Sequence, residues 1–126
     1  MREAKISSHR FGYTLFEGSA IVRPEGACDE ERTEALAKLV NSPLISAKNL
    51  ILDLSRVGYV ESPGYRWLVR QLQQLESDGK TLVLVGVPPS VERALKLLRL
   101  DRFFPVARDV QEALAGLEPA EQQIPS

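Results

Sequence analysis

The sequence predicts an α/β domain. Two short runs, Leu50-Ile51-Leu52-Asp53-Leu54 and Thr81-Leu82-Val83-Leu84-Val85, are nearly continuous in apolar residues, as strands covered on both faces are. The stretch 63–78 between them is long enough for a crossover helix, and Asp78-Gly79 supplies its stop. Strand, helix and strand at this spacing make a right-handed βαβ unit with parallel strands. Elsewhere apolar runs alternate with segments of helical periodicity, the pattern of the same fold class.

The remaining elements follow in order. Residues 5–10 and 13–17 read as strands joined by a turn at Arg10-Phe11-Gly12, and 19–23 continues the second strand. Pro24-Glu25-Gly26 ends this ribbon. Residues 29–40 read as a helix, with Ala35, Leu36, Leu39 and Val40 inward and Glu30, Glu31, Glu34 and Lys38 in water. Asn41-Ser42-Pro43 stops it. Pro88-Pro89-Ser90 opens another helix, whose Val91, Ala94, Leu95 and Leu98 recur at helical spacing. Phe103-Phe104-Pro105-Val106 is a short strand that its proline confines to a sheet edge. Asp109 with Glu112 forms a capping box for a last helix through Leu117. Residues 1–117 make one domain, and 118–126, with two prolines and two glutamines, a flexible tail.

Composition removes several function classes. The 126 residues carry a net charge of −1, so no basic field draws nucleic acid or an anionic membrane non-specifically. One cysteine, Cys28, and one histidine, His9, exclude an internal disulfide and the usual zinc sites. The polar start of the chain contains no secretion signal, and no apolar run is long enough to span a membrane. A cytoplasmic domain without cofactor or metal is the expectation.

Chemistry concentrates between Asp53 and Tyr65, where a strand ends, a loop follows and the crossover helix begins. Ser62 stands just before that helix. As N-cap its hydroxyl accepts a bond from a first-turn amide, with Pro63 at N1, where a missing N–H costs nothing. A serine there is equally placed to accept a phosphoryl group, which adds about −1.5 to −2 charges at one surface point beside Glu61. Spacing alone favours the cap role.

Residues 57–64, preceded by Ile51-Leu52-Asp53-Leu54 and followed by a long helix, resemble the signature of STAS domains, and more particularly of the anti-sigma factor antagonists. In that family an Asp-Leu strand end leads to Asp-Ser-Ser/Thr-Gly at the start of a helix; Glu61-Ser62-Pro63-Gly64 is the corresponding stretch. The similarity continues through residues 78–86, 88–98 and 100–106, and spans roughly residues 49–114. It implies a STAS-type fold, a small mixed β-sheet of four to five strands with helices packed mainly on one side. It also implies that Ser62 matches the serine phosphorylated by a partner anti-sigma factor with serine kinase activity. In the family scheme the unphosphorylated domain binds that kinase and frees a sigma factor, phosphorylation breaks the complex and a phosphatase resets it, with no catalysis by the domain itself. Three residues depart from the pattern. Glu61 moves the family carboxylate out by one methylene, Pro63 deletes an amide donor, and Tyr65 replaces a small aliphatic residue.

Competing motifs fail on context. Gly79-Lys80-Thr81 leads from helix into strand, the reverse of a phosphate-binding loop, and Gln74 stands where that loop's first glycine belongs. Val60 occupies the first glycine position of a nucleophile elbow around Ser62, and only His9 could serve as its base. Asp53 lacks the paired acidic residues a receiver-type magnesium site requires. An enzyme is not expected.

On the crossover helix Leu68, Leu72 and Leu75 face inward with Trp67 at their flank. Tyr65, Arg66, Val69, Arg70 and Gln73 fall on or near the other side. Tyr and Arg are enriched at interface anchors, so Glu61, Ser62, Pro63, Gly64, Tyr65, Arg66, Val69 and Arg70 form the candidate partner surface. One alternative is a STAS regulatory subunit of a lipid or anion transporter, with Ser62 acting only as a cap. A small-ligand or nucleotide sensor using loops 24–27 and 58–64 ranks last, because no phosphate-cradling motif supports it.

Overall fold

The computed structural model describes residues 2–6, 8–46 and 48–117; the expected tail, 118–126, lies outside them. Six strands form the main sheet: β1 (Arg2–Ile6), β2 (His9–Phe16), β3 (Ser19–Arg23), β5 (Asn49–Asp53), β7 (Leu82–Val85) and β8 (Val106–Ala107), in that spatial order. Strands β1, β2 and β3 are antiparallel neighbours, while β3, β5, β7 and β8 run parallel. A separate parallel pair joins β4 (Gly26–Cys28) to β6 (Val57–Val60). Four helices complete the fold: α1 (Glu30–Val40), α2 (Ser62–Ser77), α3 (Pro89–Leu97) and α4 (Val110–Gly116).

The central strands are apolar throughout because both faces are covered. Leu50 and Leu52 of β5, Leu82 and Leu84 of β7, and Ala20 and Val22 of β3 point into the core shared with α1, α2 and α3. Ile51, Val83, Val85 and Ile21 point the other way, against Ala113 of α4 with Val110, Leu114 and Leu117 around it. Three helices thus cover one face and one short helix the other. The β5–α2–β7 unit has the parallel pairing that the sequence predicts, Leu50 opposite Leu82 through Asp53 opposite Val85.

Several boundaries differ from expectation. The first hairpin closes between Ile6 and His9 rather than at Arg10-Phe11-Gly12. Phe11 is 1% exposed and Tyr13 is buried beside it in the same core, so alternate burial carries β2 straight through Gly12, which pairs with Glu3 on one side and Arg23 on the other. Residues 19–23 are a strand of their own, because the two-residue turn Glu17-Gly18, with Glu17 at φ 54, reverses the chain. The short pair β4–β6 replaces what reads as loop. Of the run 103–106 only Val106 enters a strand, where it stands opposite Leu84 as Ala107 does opposite Val85 at the sheet edge, and the Pro105 carbonyl accepts from the Leu84 amide. The sheet has six strands rather than four or five.

Asp109 caps α4 as the sequence predicts, and Asp29, which reads as the first residue of the helix 29–40, is the cap of α1 instead. The Asp29 carboxylate accepts from the Arg32 amide at 2.8 Å and the Asp109 carboxylate from the Glu112 amide at 2.9 Å, satisfying first-turn donors. Helix α3 ends differently from the periodic reading, which carries its inward stripe on to Leu98. Arg99 is left-handed at φ 60; its amide donates to the Lys96 carbonyl, and that of Leu100 to the Leu95 carbonyl at 2.7 Å. This Schellman reversal leaves Leu97 85% and Leu98 52% exposed.

Two constraints hold the loop that leads to α2. Asp53, at the end of β5, accepts from the Arg23 guanidinium and from the Ser55 amide, both at 3.0 Å. Burial pushes its pKa up, but the bonds from Ser55 and Arg23 outweigh burial and hold it below its ordinary value of 3.8. Gly86, at the end of β7, is left-handed at φ 61, and a Cβ there would lie 2.9 Å from Ser55 Cβ and 3.1 Å from the Asp53 carboxylate.

Gly86→Ala is expected to lower unfolding free energy by about 2–3 kcal/mol, against about 1 kcal/mol for Gly79→Ala, where φ is positive but space is open. Urea titration checks this, and equal losses would mean that the close approach to Ser55 costs nothing. Asp53→Asn should cost about 1–3 kcal/mol at pH 7 by weakening a half-buried ion pair. A depressed carboxylate pKa contributes stability above the unfolded value and loses it as pH falls through the folded value. The gap between native chain and Asp53→Asn should therefore narrow below pH 3.8, measured by thermal unfolding across pH.

Candidate functional site

The segment from β6 into α2 places Ser62. Strand β6 runs parallel to β4, with Val60 opposite Cys28, and the ladder continues one residue further, the Glu61 amide donating to the Cys28 carbonyl at 3.1 Å. Glu61 is accordingly extended, at φ −90 and ψ 167, while its own carbonyl accepts from the Gly64 amide at 2.8 Å and the Tyr65 amide at 3.3 Å. Glu61, not Ser62, is therefore the N-cap of α2. Ser62 takes the first helical position and Pro63 the second, and no side chain caps this helix. The cap role read from spacing is corrected on a physical ground: the β4–β6 pairing keeps the chain extended one residue longer than the apolar pattern indicates. The Ser62 side chain is exposed and has no hydrogen bond among the described residues.

Gly64 packs where only a glycine fits without displacement. A Cβ there would lie 2.5 Å from Val60 Cγ1 and 3.5 Å from both the Cys28 carbonyl and Thr33 Oγ1, so α2 sits directly on β6 and α1. Tyr65 is buried, 8% exposed, rather than on the outer face. Its position three residues before Leu68 puts it on the stripe of Leu68, Leu72 and Leu75. Burial, followed by the neighbouring Cys28, pushes the Tyr65 phenol up. Gln71 is buried on the same side.

Of the candidate surface residues, Glu61, Ser62, Arg66 and Arg70 are exposed, Pro63 and Val69 are half-buried, and Gly64 and Tyr65 are buried. Ser62, Arg66, Val69 and Arg70, with the edge of Tyr65, line one groove of about 480 Å³ whose far wall is Leu98 and Leu100. Neither Arg66 nor Arg70 forms an ion pair among the described residues. On their other flank the same two arginines border a smaller depression shared with Glu30 and Glu34 of α1. The groove therefore presents a hydroxyl at one end, two unpaired cations along one side and leucines opposite.

The sequence reading misses two features of this region. Leu98 and Leu100 become the groove's far wall only because Arg99 reverses the chain. Tyr59 is 52% exposed on β6 three residues before Ser62, although period-two alternation would put it on the same face as Val57, which is buried, so no local pattern announces it.

The catalytic alternatives are not assembled. His9, at the start of β2, lies 3.4 Å from Glu31 and does not line the groove with Ser62. Burial raises the Cys28 thiol to about 11, outweighing the opposing effect of Arg32, which keeps it protonated and unsuited to nucleophilic work. No group of three or more metal-ligating side chains occurs among the described residues, and none of their helices is long and apolar enough to cross a membrane.

Comparison with known proteins gives the family. A protein of Bordetella bronchiseptica described as an anti-sigma factor antagonist, BtrV, is 28% identical over 105 residues, 82% of this chain and 90% of its own. The crystal structure of a Thermotoga maritima protein described as an anti-sigma factor antagonist superposes with a TM-score of 0.79 at 27% identity, covering 86% of this chain and 95% of that one. The Bacillus anti-sigma factor antagonist SpoIIAA, solved in unphosphorylated and phosphorylated forms, shares the fold. Its unphosphorylated form gives a TM-score of 0.71 at 16% identity, over 92% of this chain and 99% of its own. Residues 14–113 match the family model of the STAS domain, and the chain belongs to that family.

Proposed function

We propose that the chain is a phosphorylation-gated interaction module, an anti-sigma factor antagonist that docks an anti-sigma factor through the α2 groove. Its partner carries serine kinase activity, Ser62 receives the phosphoryl group, and a phosphatase removes it. The domain itself contributes no catalysis, needs no cofactor or metal, and acts in the cytoplasm without contacting nucleic acid or entering a membrane.

The observation that carries this reading is the free hydroxyl of Ser62 at the head of a groove bounded by Arg66, Arg70, Leu98 and Leu100. A serine with no capping duty has no structural work to lose on modification. Negative charge added there meets the partner's surface rather than the domain's core, so docking responds while the fold does not. The transporter-subunit alternative gave Ser62 a capping role, and Glu61 occupies that position instead.

Co-purification from native cells followed by intact-mass analysis tests the assignment. Recovery of an ATP-binding kinase and a phosphoryl group on Ser62 is the expected result; recovery of transporter subunits with unmodified chain would overturn it. Against the purified partner, Ser62→Ala should retain affinity. Ser62→Asp should weaken it at least about tenfold, roughly 1.4 kcal/mol. Combined reversal of Arg66 and Arg70 to Glu should weaken docking with little change in melting temperature, because both side chains are exposed. Equal affinity for all of these variants would reject the groove as the docking surface.

A further inference from the structure

We propose that Arg66 is the residue that reads phosphorylation of Ser62: its guanidinium pairs with the phosphoryl group across one turn of α2 and is thereby withdrawn from docking. The inference rests on the modification proposed for Ser62 and adds how the charge acts once it is there.

Ser62 and Arg66 are four residues apart on one helix and line the same groove. At that spacing Cβ atoms are about 5–6 Å apart, and an anionic group N-terminal to a cationic one is the favourable order. A phosphoserine extends its three acceptor oxygens toward the next turn, where a planar guanidinium can take two of them at once. Arg66 is exposed and has no ion-pair partner among the described residues, so pairing displaces nothing. Glu61 and Pro63 sharpen the need for it. The exposed Glu61 carboxylate sits next to Ser62 and repels an added dianion, and Pro63 has no amide to offer it. The groove's other charged lining residue is Arg70, a further turn away; Glu30 and Glu34 lie across the opposite flank of Arg66 and Arg70.

Modification would then change two things at once. The groove loses one free cation on the side facing a partner, and it gains net negative charge at its head. A partner that meets Arg66 with a carboxylate is rejected for both reasons.

The test needs neither kinase nor partner. Phosphoserine is incorporated at position 62 during translation, and the second ionisation of the phosphate is followed by phosphorus NMR across pH. A nearby guanidinium favours the dianion and lowers that pKa. The folded native chain should titrate at least about half a unit below the Arg66→Gln variant, Arg66→Lys should fall between them, and the difference should vanish in concentrated urea. Arg70→Gln should shift the midpoint less than Arg66→Gln. Identical midpoints for native and Arg66→Gln chains, or a larger effect at Arg70, would overturn the assignment. Absence of phosphate on Ser62 in native cells would instead count against the proposed function, leaving the measured pairing intact.

Discussion

Glu61 belongs to two hydrogen-bonded systems at once. Its amide ends the β4–β6 ladder by donating to Cys28, and its carbonyl begins α2 by accepting from Gly64 and Tyr65. A residue held extended by one ladder cannot also be helical, so the helix starts at Ser62, and the phase of every later residue on α2 follows from that start. Ser62, Arg66 and Arg70 fall outward; Tyr65, Leu68, Leu72 and Leu75 fall inward. Had the helix begun one residue later, Ser62 would cap it, its hydroxyl would be engaged, and the groove would lose its polar end. The absence of a side chain at Gly64 allows this junction to lie against Val60 and the Cys28 carbonyl.

The parts of the fold legible in the sequence are those whose signal is local. Continuous apolar runs announce β5 and β7 because both faces are covered, the stripe of Ala35, Leu36, Leu39 and Val40 announces α1, and Asp109 announces α4 through a cap that needs only the residues beside it. What is not legible depends on contacts between distant segments. Strands β4 and β6 are three and four residues long and separated by α1 and β5, so neither carries enough period-two pattern to stand out. Gly12 invites a turn in isolation, and only the burial of Phe11 and Tyr13 against the helices keeps β2 running through it. The candidate site was legible as a segment, with Ser62 at its centre. Its geometry was not, since the burial of Tyr65 and the place of Leu98 depend on where one helix starts and another reverses.

The loop before the site is braced from the sheet side. Arg23 on β3 and Asp53 on β5 pair across neighbouring parallel strands, and Ser55 and Gly86 close around the same carboxylate. This fixes residues 54–56 at the ends of β5 and β7, and β6 leaves from there. The segment that leads into α2 is therefore anchored on the sheet side before Ser62 is reached.

The two margins of the main sheet bear on how any companion molecule can approach. On one side β8 has only two residues and follows directly on Pro105; on the other β1 carries Arg2, Glu3 and Lys5 within five residues, all solvent-exposed. Short length, proline and alternating charge each discourage an incoming chain from adding itself as another strand. Recognition by backbone pairing is thus disfavoured along both flanks, which leaves contact between side chains as the open route for a companion.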